Sequence, residues 1–225
     1  MLRGGMFMEQ RDIITQTIAN MNNIYNDIGR IVQVIEEEIK NNNLTAVGGD
    51  ANVTWENSYA YYKPEAWLPS WFARTYQSEG LKNKAVGFCI HLGGERYHID
   101  KQERLEASNI HFPFVNVSLI ETGINIRETV KRNTLNDIIW AAGWYEPVLI
   151  NSIENESLVF SDEDDINGNA KLTTYFLDLL SLNSKDAVSR LVVGPMVQML
   201  AGKADWVIEN DLPVIKINQT SLAGE

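Results

Sequence analysis

The chain has 225 residues, 44% hydrophobic and 22% charged, with nineteen Lys and Arg against thirty Asp and Glu for a net charge of −11. That length holds one or two buried cores, and the ordinary composition excludes a wholly disordered chain. The acidic balance repels phosphate at long range and argues against nucleic acid, while favouring solubility and a basic protein partner.

The opening Met1-Leu2-Arg3-Gly4-Gly5-Met6-Phe7-Met8 lacks the apolar run of a secretory signal. The longest late apolar stretch, Leu191 to Leu200, falls short of the roughly 20 residues that span a bilayer. One cysteine, Cys89, forms no internal disulfide framework. The expectation is a cytoplasmic protein away from membranes, its five Asn-x-Ser/Thr sequons by-products of an Asn-rich sequence.

The first element is the clearest. Ile14, Ile18, Met21, Tyr25, Ile28, Val32, Ile35 and Ile39 recur at alternating spacings of four and three, the rhythm of one helical face. This predicts a helix over 9–41, about 50 Å long, stopped by Asn41-Asn42-Asn43 and Gly48-Gly49-Asp50. The stripe fits packing on the protein's own core, with Ile14, Ile18, Ile28 and Ile35 buried. It also fits a coiled-coil homodimer. Ile13, Ile24 and Ile31 widen it towards the first reading, and Gly29 weakens the isolated helix enough to need tertiary support.

A β-rich middle, 55–121, follows. Ser58–Tyr62, Trp67–Gln77, Ala85–Leu92 and Ile110–Ile120 are rich in aromatic and β-branched residues. Gly80-Leu81-Lys82-Asn83 reads as a hairpin connection. Val86, Phe88, Ile90 and Leu92 alternate with Gly87, Cys89 and His91, so one face is core and the other meets something more polar.

The last third, 133–218, reads as more helical. Thr134 and Asp137 open a short helix ending before Gly143. Glu146–Ile150 and Ser157–Ser161 are short strands, and Leu172–Leu182 and Lys185–Leu200 are helices, the second broken at Gly194-Pro195. Val214–Ile217 adds a final strand. The sum is one α+β domain over 1–225: a long N-terminal helix packed on a mostly antiparallel sheet of about four or more strands, with further helices in the C-terminal third.

The aromatic concentration is the strongest site candidate. Trp55, Tyr59, Tyr61, Tyr62, Trp67, Trp71, Phe72 and Tyr76 place eight of twenty-one aromatics within twenty-two residues, interrupted by Pro64 and Pro69. Large faces with polar tips suit protein interfaces. Trp55, Tyr61, Tyr62, Trp67 and Trp71 are the expected anchors.

Chemistry-bearing motifs are weak. Cys89 and His91 share a strand face, but with only His98 and His111 beside them the paired spacings of a zinc site are missing. A buried Cys beside a hydrogen-bonded His is the expectation. The loop Glu163-Asp164-Asp165-Ile166-Asn167-Gly168 matches half a calcium loop, but Thr174 stands where a bidentate Glu is needed, so no metal is expected there tighter than millimolar. The basic cluster Lys82, Lys84, Arg96, Lys101 and Arg104 could hold an anion. No phosphate-binding, nucleophile-elbow or cofactor motif occurs.

Two functions follow as expectations. The first is a non-catalytic binding or accessory protein that meets a protein partner through the aromatic surface, with a homodimer as one form. The alternative is a metal-dependent hydrolase, because helix, strands, helix, strand resembles the layout of restriction-endonuclease-like nucleases. The only Glu-x-Lys, Glu38-Ile39-Lys40, lies in the first helix rather than on a strand.

Overall fold

A computed structural model describes residues 4–47, 54–55, 71–92, 113–123, 125–126, 150–154, 157–162, 170–203 and 212–215. The chain folds as α+β, and the apolar rhythm of its first forty residues becomes one helix, α1 (Gly4–Asn41), of 38 residues. Its end is built by asparagines. The Asn42 side-chain amide donates to the Glu38 carbonyl at 2.8 Å, and Asn43 takes φ 58°. Asparagine tolerates this left-handed turn better than most residues, and the turn feeds α1 directly into a strand.

Only the second half of the stripe is core. Ile28, Ile35 and Ile39 are buried, and Tyr25, Ile31, Val32 and Val34 pack against the same cluster. Ile14 and Ile18 are not buried as expected: they are 59% and 54% exposed. α1 is about 57 Å long, and among its residues of described burial, 12–41, the core begins at Tyr25.

Eight described strands form one sheet: β1 (Leu44–Ala46), β2 (Thr54–Trp55), β3 (Trp71–Ser78), β4 (Lys84–His91), β5 (Phe114–Thr122), β6 (Ile150–Glu154), β7 (Ser157–Asp162) and β8 (Ala170–Asp178). The order is β1-β3-β4-β5-β8-β7-β6, with β2 also on β3, and every described pairing is antiparallel. β1 and β2 share the outer side of β3, opposite Tyr76–Ser78 and Phe72–Ala73 respectively. The pairing of β6 with β7 shifts register between Ile150 and Ser152, as at a β-bulge. The hairpin at Gly80–Asn83 forms as expected, and Gln77 Nε2 ties it down by donating to the Leu81 carbonyl at 2.7 Å.

Leu172–Leu182 is a correction. It is β8 followed by a 3-10 turn (Leu179–Ser181), not a helix. A central strand is covered on both faces and so reads as a continuous apolar run, which periodicity alone does not tell from a buried helix. The β-branched pair Thr173-Thr174 and aromatic pair Tyr175-Phe176 suit the strand. Of the expected Val214–Ile217 strand, Val214 bridges to Leu177 and the Ile215 N–H donates to the Phe176 carbonyl at 2.8 Å, while 216–217 lie outside the described residues. The helix expected at Thr134 lies outside the described residues.

Register assigns the faces. Tyr76, Val86, Phe88, Ile90, Val115, Val117, Leu119, Tyr175 and Leu177 share one face and make the main core with α1 and the C-terminal helices. Those helices are α2 (Lys185–Val188), a π-helical turn (Ser189–Val193) and α3 (Gly194–Leu200), which run on continuously. The expected break at Gly194-Pro195 is a widened turn instead. Pro195 has no N–H for the carbonyl four residues back, that of Leu191. The Tyr175 hydroxyl donates to that carbonyl from the sheet.

Tyr175→Phe therefore removes a donor from a buried carbonyl and should cost about 1–3 kcal/mol. Urea denaturation of wild type and variant measures it. Equal midpoints would mean that the carbonyl finds another donor.

Candidate functional site

Two places carry unusual chemistry. The first is the polar face of the sheet. Cys89 and His91 do point to one face of β4, as their spacing predicts, and both are buried. The His91 imidazole and the Asn116 carboxamide oxygen lie 3.0 Å apart, across β4 and β5. Asn116 Nδ2 donates to Ser118 Oγ at 3.3 Å, Ser118 Oγ lies 2.7 Å from Thr174 Oγ1, and Thr174 Oγ1 donates to the Val117 carbonyl at 3.1 Å. An amide oxygen only accepts, so His91 Nε2 carries the proton and the chain of donors runs one way, from β4 through β5 to β8.

This face is closed to substrate. His91, Asn116, Ser118 and Thr174 are all buried. Burial holds the His91 imidazole down to about 3, and the hydrogen bond to Asn116 only partly opposes that. A group neutral throughout the physiological range, with its Nε2 proton already engaged, serves as a structural donor. Cys89, buried and outside any disulfide, donates weakly to the Ile90 carbonyl at 3.9 Å. Among the described residues no three His, Cys, Asp or Glu gather as a metal site. His98, His111 and the Glu163–Gly168 loop lie outside the described residues.

A polar link also joins α1 to the sheet. Arg74 Nε lies 2.9 Å from Glu36 Oε1, and the Tyr76 hydroxyl donates to the same carboxylate oxygen. Burial first, and then the Glu36 carboxylate, raise the Tyr76 phenol well above its usual range. This is a clamp with its members turned on one another.

The second place is apolar and open. On the half of α1 that precedes the core, Ile13, Ile14, Ile18 and Ile24 are each more than half exposed, at 59%, 59%, 54% and 53%. The same face runs into a groove of about 530 Å³. Ile24, Ile31 and Val34 of α1 form one wall, and Leu179, Leu180 and Val188 form the other. Leu180 is 80% exposed. The far wall is set by two caps: Asp178 Oδ1 accepts from the Leu180 backbone N–H at 2.8 Å, and Ser184 Oγ accepts from that of Ala187 at 3.1 Å. Lys185 reaches back across the groove to Glu37 and Glu38 at 3.1 and 3.3 Å, a largely exposed pairing.

The sequence missed this site because Leu179-Leu180 lay inside a presumed helix. The caps at Asp178 and Ser184 were the available signal, since each marks where a helix starts.

The sequence-predicted anchors fare unevenly. Trp71 sits at the start of β3 opposite His91 and is only 4% exposed, so it is a packed side chain and not a surface one. Trp55 lies in β2, opposite Phe72. Tyr61, Tyr62 and Trp67 fall outside the described residues. Of the basic cluster, Lys84 pairs with Glu121 at 2.6 Å, and Arg96, Lys101 and Arg104 fall outside. β3 and β4, where a nuclease layout would need carboxylates, contain none.

Compared with known proteins, the chain matches no family model, no curated protein and no solved structure.

Proposed function

We propose that this is a non-catalytic binding or accessory protein of the cytoplasm, which engages a protein partner through the apolar face of α1 and the groove beside it. The observation that carries this reading is the run of Ile13, Ile14, Ile18 and Ile24, all more than half exposed, leading into a groove edged by Leu180 at 80% exposure. Isolated exposed apolar residues need no explanation, but a contiguous face with a polar surround marks an interaction surface. Grooves of this kind accept the apolar side of an amphipathic helix. The aromatic segment enters through Trp55, Tyr61, Tyr62 and Trp67, while Trp71 supports the sheet. No helix among the described residues is long and apolar enough to cross a membrane, and a partner in solution fits that.

The test uses the full chain carrying Ile24→Asp and Leu180→Asp together. Both sites are exposed, so the melting temperature should stay within about 2 °C of wild type. Proteins held by tagged wild type should be lost by the double variant. A large drop in melting temperature would show that the groove is core, and equal retention of partners would place binding elsewhere.

A further inference from the structure

The partner of this face can be read from its pattern and its charge. Ile14, Ile18, Met21 and Tyr25 keep the four-three spacing of a coiled-coil seam on the part of α1 that lies before the core. The fourteen residues Ile13–Asn26 contain no charged side chain, in a chain of net charge −11. A basic partner would find no acid there to pair with. A second acidic chain, repelled elsewhere, meets no like charge along this strip.

Resting on the reading above, we propose that the occupant is a second copy of this chain, whose α1 lies antiparallel against the first. Orientation follows from the fold. Beyond Tyr25 the same seam faces the protomer's own core through Ile28, Ile35 and Ile39. A parallel copy would have to occupy the space that this core fills. An antiparallel copy overlaps only the free half of α1 and carries its own acidic body away to the opposite end. Its α1 then runs towards the groove at Ile24 and Leu180, and the two-fold axis makes the contact reciprocal.

Sedimentation of the purified full chain over roughly 1–100 µM tests the proposal. Wild type should sediment as a dimer. Ile14→Glu combined with Ile18→Glu should weaken association by at least about 100-fold, because each places an unpaired carboxylate in the seam. Both positions are exposed in the protomer, so circular dichroism and melting should match a monomeric wild-type core. The milder Ile14→Ala with Ile18→Ala keeps the helix and should weaken the dimer less. A spin label at exposed Lys40→Cys should report about 60 Å between copies, from twenty residues of helix on either side of the seam centre.

A monomeric wild type at the highest concentration would overturn the second copy. If the groove variant still loses a captured protein in that case, the binding function stands. A dimer that survives both glutamates would also overturn the proposal, and a separation near 20 Å would overturn the antiparallel arrangement.

Discussion

Ile35→Asp should leave the chain largely unfolded, whereas Ile18→Asp should leave the protomer folded and melt with wild type diluted to the monomer. Both residues sit on the same helical rhythm, but Ile35 is fully buried and Ile18 is 54% exposed. A carboxylate at position 35 would be set among Ile39, Tyr76, Phe88 and Leu191, part of one apolar cluster. Its burial costs several kcal/mol even after the group takes up a proton, out of a total stability of about 5–15. The Glu36 carboxylate close by, already engaged with Arg74 and Tyr76, makes relief harder. At position 18 of a single protomer the charge stays in water and the cost to its folding is within about 0.5 kcal/mol. Melting curves of the two variants decide it. An unchanged midpoint for Ile35→Asp would mean that α1 does not belong to the core.

The second large effect is on acid stability. His91 is neutral in the folded chain down to about 3, and an unfolded histidine titrates near 6.5. Between those values the unfolded state binds more protons, so stability rises with pH. The His91 contribution is fully present above about pH 6.5, and it is lost as the pH falls towards 3. At about 1.4 kcal/mol per pH unit, the loss approaches roughly 4 kcal/mol at the acid end. His91→Gln keeps a side-chain N–H for Asn116 but cannot titrate. Denaturant midpoints of wild type and His91→Gln, compared from pH 8 to pH 4, should converge as the pH falls. Parallel curves would mean that His91 gains its proton without unfolding the sheet. The carboxylates common to both proteins cancel in the comparison.

Much of the architecture was readable where one periodicity governed a long segment. The four-three rhythm placed α1, and alternation across Val86–His91 correctly separated an apolar from a polar face. The expectation of a buried, hydrogen-bonded His beside a buried Cys also holds. Reading failed where two causes leave the same trace. A strand covered on both faces and a buried helix are both continuous apolar runs, and Leu172–Leu182 was assigned to the wrong one. An apolar stripe states that a face must be covered, without stating by what. For Ile28 and Ile35 the cover is the chain's own core, and Ile14 and Ile18 carry the same signal with no such cover. Proline was read as a break because the sequence cannot show a hydroxyl arriving from another element, as Tyr175 does at Leu191. The groove joins residues some 150 positions apart and was invisible for that reason.

The borders of the sheet bear on how this protein meets others. On one side the backbone of β3 is already engaged by two short segments, β1 at Tyr76–Ser78 and β2 at Phe72–Ala73, which leave a visiting extended peptide little continuous main chain to zip onto. On the other, the last described strand, β6, carries a register slip between Ile150 and Ser152, and irregularities of this kind break the flat geometry that runaway stacking requires. At these described edges, association by adding strands is discouraged, and it is the route that ends in fibrils because main-chain pairing accepts almost any sequence. Under the proposed reading, recognition is then left to side chains projecting from a helix, where spacing and shape select the partner and an ill-fitting one gains nothing.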